Sequence, residues 1–171
     1  MKTKDKIIAG FTVVVLALLA YLWFAPGGVQ PVPAISLKTL DGRSVNLQAL
    51  RGQPVLITFW ATSCPGCIKE MPHLAELYNE FHHKGLEVFG IAMPYDRPDH
   101  VVEMVRRRAL PYDIAIDIEG KAVAAFGNVQ LTPTSFLIDP RGQIVMHKIG
   151  EMDMQRLHRQ IEDMLNSKQA S

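Results

Sequence analysis

Residues 54–67 read PVLITFWATSCPGC and decide the fold, because they place a strand-like run directly before a pair of cysteines. Residues 54–60 are apolar and rich in β-branched and aromatic side chains, which is typical of a central strand buried on both faces. From Cys64 onward the apolar residues recur at spacings of three and four, the period of an amphipathic helix, which Gly85 ends. Cys64 and Cys67, the two cysteines of the protein, therefore stand at a strand-to-helix junction.

The position of Cys64 at the start of that helix predicts a reactive thiol. Unpaired backbone N–H groups and the positive end of the helix dipole favour the thiolate over the neutral thiol. Since a thiolate is the attacking species in disulfide exchange, Cys64 is the expected nucleophile. Cys67, one turn further along, is close enough to resolve a mixed disulfide and to form a redox disulfide with Cys64.

Three other uses of a cysteine pair are weaker interpretations. A structural disulfide that closes so short a loop adds little stability. A metal site needs more ligands, and the nearby His73, His82 and His83 lack the paired Cys/His spacing typical of zinc. Unreactive core thiols leave the placement of both cysteines at a helix start unexplained. The residues themselves thus imply neither a cofactor nor a bound metal.

The rest of the chain alternates strand-like and helix-like segments, which predicts an α/β sandwich. Asp41 and Gly42, between two short β-prone runs, predict a hairpin ahead of the central strand. Further strands are expected over residues 86–93, 114–116, 134–138 and 144–149. Helices are expected over residues 98–109 and 121–126, and a last helix carries on one face the apolar residues Met154, Leu157, Ile161, Met164 and Leu165.

Residues 7–25 read IIAGFTVVVLALLAYLWFA, 19 residues without a charge. As a helix they would span roughly 28 Å, against about 30 Å of bilayer hydrocarbon. Lys2, Lys4 and Lys6 precede them, and bulky aromatic residues end them, which predicts an uncleaved anchor with a cytoplasmic N-terminus. The alternatives are a cleaved signal peptide, which prefers small residues where these bulky ones stand, and, more weakly, a buried helix of a soluble fold.

Composition narrows the classes of function further. With 18 Lys and Arg against 17 Asp and Glu, the chain lacks the basic surface that binding of nucleic acid requires. Two cysteines exclude a disulfide-rich scaffold. The predicted organisation is a cytoplasmic N-terminal region (residues 1–6), a transmembrane anchor (7–25), a Pro- and Gly-rich linker (26–33), one globular domain (34–167) and a short tail (168–171).

Residues 59–72, FWATSCPGCIKEMP, closely resemble the active-site segment of thioredoxin-fold proteins. Within that fold the chain is most similar to membrane-tethered thiol-disulfide oxidoreductases of the TlpA/ResA/CcmG (DsbE) type, from Ile35 to the C-terminus. The resemblance implies a thioredoxin-like fold, in which helices flank a central mixed sheet and an N-terminal β-hairpin precedes it. One transmembrane helix would stand before this domain.

The resemblance also implies roles for residues outside the cysteine pair. Trp60 matches the tryptophan that packs beneath the active-site loop, and Pro72 matches the proline that kinks the active-site helix. Thr132 and Pro133 match the cis-proline loop, whose backbone pairs with the substrate peptide opposite the sulfurs. Trp60, Thr132 and Pro133 are therefore the expected substrate-binding residues.

Glu70 matches the family glutamate after the second cysteine. It lies three residues beyond Cys67, on the same helix face, where it could exchange a proton with that thiol; an ordinary water-facing carboxylate is the alternative. Two positions depart from the family pattern. Ser63 replaces the usual tryptophan before the first cysteine, which removes an aromatic shield. Thr58 stands where cytoplasmic thioredoxins have a buried acid, so proton transfer falls to Glu70 or to water.

These features predict an extracytoplasmic protein-disulfide reductase, held in the cell inner membrane by residues 7–25 with its C-terminal domain in the periplasm. The expected substrates are disulfides of exported proteins, such as apocytochrome c during cytochrome c biogenesis, copper-site proteins or damaged secreted proteins. The resemblance implies that electrons return from a membrane donor of the DsbD/CcdA type.

Other functions remain open at this point. A DsbA-like oxidase would use the same site with reversed electron flow, since the Pro-Gly pair between the cysteines does not settle the direction. The thiol pair could instead hold Cu(I) without redox turnover, with Met71, Met93 or His73 as added ligands. A peroxidase is the weakest alternative, because Ala61 stands where the peroxiredoxin pattern has a threonine.

Overall fold

The computed structural model describes residues 12–17 and 30–169. Residues 12–17 are helical; the rest of the expected anchor at residues 7–25, and the expected cytoplasmic region at residues 1–6, lie outside the described residues. No helix in the described parts of the chain has both the length and the hydropathy needed to cross a membrane. From Gln30 onward the chain forms an α/β domain.

The strands of this domain are β1 (Gln30–Pro31), β2 (Ser36–Lys38), β3 (Ser44–Asn46), β4 (Val55–Trp60), β5 (Glu87–Ala92), β6 (Asp113–Ile116), β7 (Thr134–Ile138) and β8 (Gln143–Ile149). Six of them form a mixed sheet in the order β1-β8-β7-β4-β5-β6, and β2 pairs with β3 in a separate hairpin. β4, β5 and β6 run parallel to one another. β7 runs antiparallel to β4, β8 runs antiparallel to β7, and β1 runs antiparallel to β8. The expected hairpin and mixed sheet are confirmed.

The helices of the domain are α1 (Pro65–Phe81), α2 (Pro98–Arg108), α3 (Lys121–Ala125) and α4 (Met154–Gln169). Each lies where the sequence predicted a helix, to within a residue or two where a range was predicted. After α1 a 3₁₀ turn, His82–Lys84, leads to Gly85, whose φ of 109° ends the helix in the left-handed region. The 3₁₀ turn Leu47–Leu50 was not predicted.

The central strand β4 separates two hydrophobic clusters, because alternate side chains point to opposite faces of the sheet. Leu56 and Trp60 pack with apolar residues of α1, α2 and α4. Ile57 and Phe59 join the other cluster, with residues of the hairpin and α3. All six residues of β4 are buried, as its continuous apolar sequence predicts.

The linker predicted over residues 26–33 is wrong in its last part. Gln30–Pro31 forms β1 along the start of β8, and Val32 is buried and donates its N–H to the Gly142 carbonyl at 2.9 Å. Proline is compatible with this strand because β1 lies at an edge of the sheet, where a missing N–H interrupts no central ladder. Residues 30–32 therefore belong to the domain, which was expected to start at residue 34.

Candidate active site

The two cysteines lie at the N-terminus of α1, beside the carboxyl ends of the parallel strands. They form a disulfide, with their Cα atoms 5.3 Å apart. Cys64 is the N-cap of α1, and the backbone N–H of Cys67 donates to its Sγ at 3.2 Å. Cys64 is 8% exposed and Cys67 is 3% exposed. A thiolate on Cys64 would gain from that N–H and from the helix N-terminus, and it is the more accessible residue of the pair.

The Thr132–Pro133 peptide bond is cis and lies against the loop between the cysteines. The Cδ of Pro133 is 3.6 Å from the position that a Cβ on Gly66 would occupy. The Pro133 carbonyl accepts the N–H of Gly150 at 2.8 Å, and the Thr134 hydroxyl donates to the Leu131 carbonyl at 2.7 Å. Pro133 is thus buried beside the active-site loop, next to a half-buried Thr132 and an exposed Leu131.

Asp96 is a residue of the site that the sequence analysis missed. Its carboxylate accepts the backbone N–H of Thr62 at 2.5 Å and the Thr62 hydroxyl at 2.6 Å. These bonds hold the loop that leads into Cys64. The available signal was that Asp96 follows β5, whose carboxyl end lies beside that of β4 in a parallel sheet.

Glu70 lies inside the protein, so the water-facing alternative is wrong. It is 4% exposed, and its Oε1 accepts the backbone N–H of Met152, in the loop after β8. Burial is the largest influence on the carboxyl group and raises the pKa of Glu70; the Met152 N–H partly opposes that shift, and the negative charge of Glu151 adds to it.

A small cavity lies next to both Glu70 and Cys67. It has a volume of about 10 Å³ and is lined by Thr58, Trp60, Cys67, Glu70, Met71, Leu74 and Tyr112. Oε2 of Glu70 and Nε1 of Trp60 are both buried, and neither has a hydrogen-bond partner within residues 12–17 and 30–169. Thr58 accepts a hydrogen bond from the Ser135 hydroxyl at 3.0 Å. Glu70, whose Oε2 accepts no hydrogen bond from the described residues, therefore lines the same cavity as Cys67.

Gly90 on β5 has no side chain and so leaves space for the side chains of Ile114, Trp60 and Tyr112. A Cβ at Gly90 would lie 2.7 Å from Cδ1 of Ile114, 3.1 Å from Nε1 of Trp60 and 3.3 Å from Cε2 of Tyr112. Only a residue without a side chain lets these three groups approach the strand together. Neither Gly90 nor Tyr112 stood out in the sequence, because both contribute only through contacts across the sheet.

The added ligands considered for Cu(I) do not converge. Met71 packs in the cluster with α1, α2 and α4, whereas Met93 packs in the cluster on the opposite face of the sheet. The side chain of His73 is 53% exposed and pairs with Glu76. Within residues 12–17 and 30–169, no three His, Cys, Asp or Glu side chains are grouped so that they could hold a metal ion.

The chain resembles known proteins along most of its length. The AhpC/TSA family pattern matches residues 29–147. The thiol-disulfide oxidoreductase ResA of Bacillus anthracis is 38% identical over 129 residues, which cover 75% of this chain and 73% of that protein. The TlpA/ResA/CcmG resemblance noted from the sequence is confirmed.

The chain is also similar to solved structures of thioredoxin-type proteins. The solution structure of a candidate thioredoxin from Neisseria meningitidis is 34% identical, covers 83% of this chain and 95% of its own, and superposes with a TM-score of 0.75. The crystal structure of a candidate thiol:disulfide interchange protein DsbE from Chlorobium tepidum is 26% identical, with 80% and 96% coverage and a TM-score of 0.72. With a cysteine pair at the start of α1 and a cis-proline loop beside it, the chain belongs to the AhpC/TSA family and is a thiol-disulfide oxidoreductase with the pair Cys64–Cys67.

Proposed function

We propose that this protein reduces disulfides of exported proteins from an anchor in the inner membrane. One observation carries the direction of attack: Cys64 is the N-cap of α1 and receives a backbone N–H on its Sγ, while Cys67 is more deeply buried. This geometry favours a thiolate at the outer position and a resolving thiol behind it. Pro133 lies beside the loop that joins them, where a client backbone could align.

The reaction proceeds through two exchanges. The Cys64 thiolate attacks one sulfur of the client disulfide; that bond breaks, a mixed disulfide forms, and the other client sulfur leaves as a thiolate and takes a proton. Cys67 then attacks Sγ of Cys64, which releases the second client thiol and closes the Cys64–Cys67 disulfide. The client gains two electrons and two protons: the enzyme supplies both electrons and the proton of the Cys67 thiol, and the solvent supplies the second proton.

Glu70 is the proposed proton acceptor for Cys67. Its Oε2 has no hydrogen-bond partner in the described part of the chain, it shares a cavity with Cys67, and burial raises its pKa. A carboxyl group with such a pKa can accept the thiol proton during resolution and release it afterwards. Thr58 cannot take this proton, because its hydroxyl does not titrate near neutral pH, and it accepts a hydrogen bond from Ser135.

The cellular part of the proposal rests on the sequence. The uncharged run over residues 7–25 follows three lysines, which favours a single-pass anchor with the domain in the periplasm. There the oxidised pair would be re-reduced by a dithiol of a membrane donor of the DsbD/CcdA type. Apocytochrome c and copper-site proteins are the proposed clients. Protease treatment of spheroplasts should digest the domain while leaving cytoplasmic proteins intact; protection of the domain would overturn this topology.

Two measurements test the chemistry. Cys64→Ser should abolish reduction of a model disulfide, and Cys67→Ser should accumulate mixed disulfides with client proteins; turnover by the Cys64→Ser protein would contradict the assignment. The reduction potential of the pair decides the direction. A value near or below about −200 mV supports a reductase, whereas a value near about −120 mV would mark a DsbA-like oxidase.

A further inference from the structure

A carboxylate from the loop after β8 lies directly over the active-site loop. Cγ and Oε1 of Glu151 are each 3.6 Å from the position that a Cβ on Gly66 would occupy, and Cδ of Pro133 is at the same distance from that point. Gly66 itself fills none of this space. Glu151 and Pro133 thus both lie beside Gly66, the residue directly before Cys67 in the loop between the two cysteines.

The two carboxylate oxygens of Glu151 have different surroundings. Oε2 accepts a hydrogen bond from Nζ of Lys69 at 2.7 Å, an ion pair in which the Lys69 side chain is largely exposed and the Glu151 side chain is half exposed. Oε1 has no hydrogen-bond donor among the described residues and faces Gly66. Lys69 therefore orients the carboxylate and leaves Oε1 available on the side of Gly66.

The loop that carries Glu151 is held in place independently of that ion pair. The backbone N–H of Met152 donates to the buried Glu70 carboxylate, and the preceding Gly150 donates its N–H to the Pro133 carbonyl at 2.8 Å. Both partners belong to the active site. The two residues on either side of Glu151 thus fix its backbone next to the active site, which keeps the side chain within reach of Gly66.

We propose that Glu151 is a specificity residue that binds a basic side chain of the client next to the cysteine under attack. This inference rests on the proposed function, since it names a feature of the disulfide substrates that the same site selects. An arginine or lysine adjacent to the client cysteine would donate to Oε1 while the client backbone lies along Pro133. An acidic residue there would be repelled by the same charge.

The proposed contact between Glu151 and a basic side chain of the client gives a modest preference among clients. Glu151 is half exposed, so an ion pair with the client is screened by salt and is comparable to other surface pairs. A client with arginine should therefore react about threefold to fivefold faster than one with glutamine at low ionic strength, and the difference should fall as salt is added.

The test uses the reduced full-length protein in detergent and three disulfide peptides that differ only in carrying Arg, Gln or Glu beside the cysteine. Single-turnover rate constants should follow the order Arg, Gln, Glu for the wild-type protein. Glu151→Gln should remove the preference, and Glu151→Lys should reverse it. The control Glu103→Gln disrupts a comparable exposed ion pair, with Arg106 on α2, and should keep the wild-type order.

The outcomes separate the two proposals. Equal rates for the three peptides with the wild-type protein, or an unchanged preference in both Glu151 variants, would overturn the role of Glu151. Failure of the wild-type protein to reduce even the Gln peptide would instead overturn the reductase proposal. Circular dichroism and the thermal unfolding midpoint of each variant show whether its fold is intact, and Glu151→Lys supplies a reversal that loss of structure cannot imitate.

Discussion

The carboxylate of Glu70 on α1 and the backbone N–H of Met152, 82 residues later, are joined by a buried hydrogen bond. It links the helix that begins at the cysteines to the loop that carries Glu151. Because the bond accounts for Oε1 alone, Oε2 has no partner among the residues that the structure describes, and Glu70 shares a cavity with Cys67. One residue therefore holds the loop in place and also offers a free oxygen toward the chemistry.

The raised pKa of Glu70 predicts how stability depends on pH. The folded protein holds the Glu70 proton more tightly than the unfolded chain does, so the free energy of unfolding falls as pH rises from the ordinary glutamate pKa through the raised one. Glu70→Gln keeps an acceptor for the Met152 N–H but cannot titrate. Urea denaturation of the oxidised proteins between about pH 4 and about pH 8 should show a decline in the wild type relative to Glu70→Gln, with a slope no steeper than about 1.4 kcal/mol per pH unit. Parallel curves would contradict this.

Gly90→Ala should destabilise the fold. The new methyl group would overlap Ile114 and crowd Trp60 and Tyr112, at a cost of about 1–3 kcal/mol, which exceeds the gain from a better strand former. Chemical denaturation measures the difference. Gly66→Ala is the matched control, because no atom lies closer than 3.6 Å to its Cβ and alanine suits a helix; it should be neutral or slightly stabilising.

Val32→Ala tests whether the segment before the hairpin belongs to the domain. Val32 is 3% exposed and packs with core residues, so its truncation should lower the free energy of unfolding by about 2 kcal/mol. Val102→Ala on α2, where the side chain is 48% exposed, should change it by less than about 0.5 kcal/mol. If the two substitutions had the same small effect, residues 30–33 would be a linker after all.

Asp96→Ala should loosen the loop that leads into Cys64. It removes the acceptor of both the Thr62 N–H and the Thr62 hydroxyl, which should cost about 2 kcal/mol of stability. Hydrogen exchange at the Thr62 amide should accelerate in the variant. Glu119→Ala, which disrupts an exposed ion pair with Lys121, should leave that amide unchanged; equal exchange in Asp96→Ala and the wild type would mean that the bonds to Asp96 do not hold the loop.

Local pattern predicted most of the elements. The apolar run before the cysteines became β4, the period of three and four became α1, and Gly85 ended the helix. These features depend on neighbours within a few positions, and turn chemistry and side-chain period encode them directly. The hairpin around Asp41 and Gly42 followed for the same reason.

Local pattern was misleading where an element is stabilised from a distance. Residues 26–33 have the composition of a linker, yet Gln30–Pro31 pairs with β8, more than a hundred positions away. Nothing within the segment signals that pairing, because the strand is only two residues long and one of them is proline. Its stability comes from the edge that β8 presents and from the burial of Val32.

The sequence by itself determined the chemistry of this protein: two cysteines one helical turn apart, after a buried strand, define the redox pair and its fold. Only the tertiary structure decided what surrounds that pair. The burial of Glu70, the room that Gly90 leaves for Trp60, and the position of Glu151 over Gly66 all depend on which strands are neighbours in the sheet. Contacts between residues far apart in sequence are set by the strand order and loop paths of the whole domain, which side-chain period does not encode.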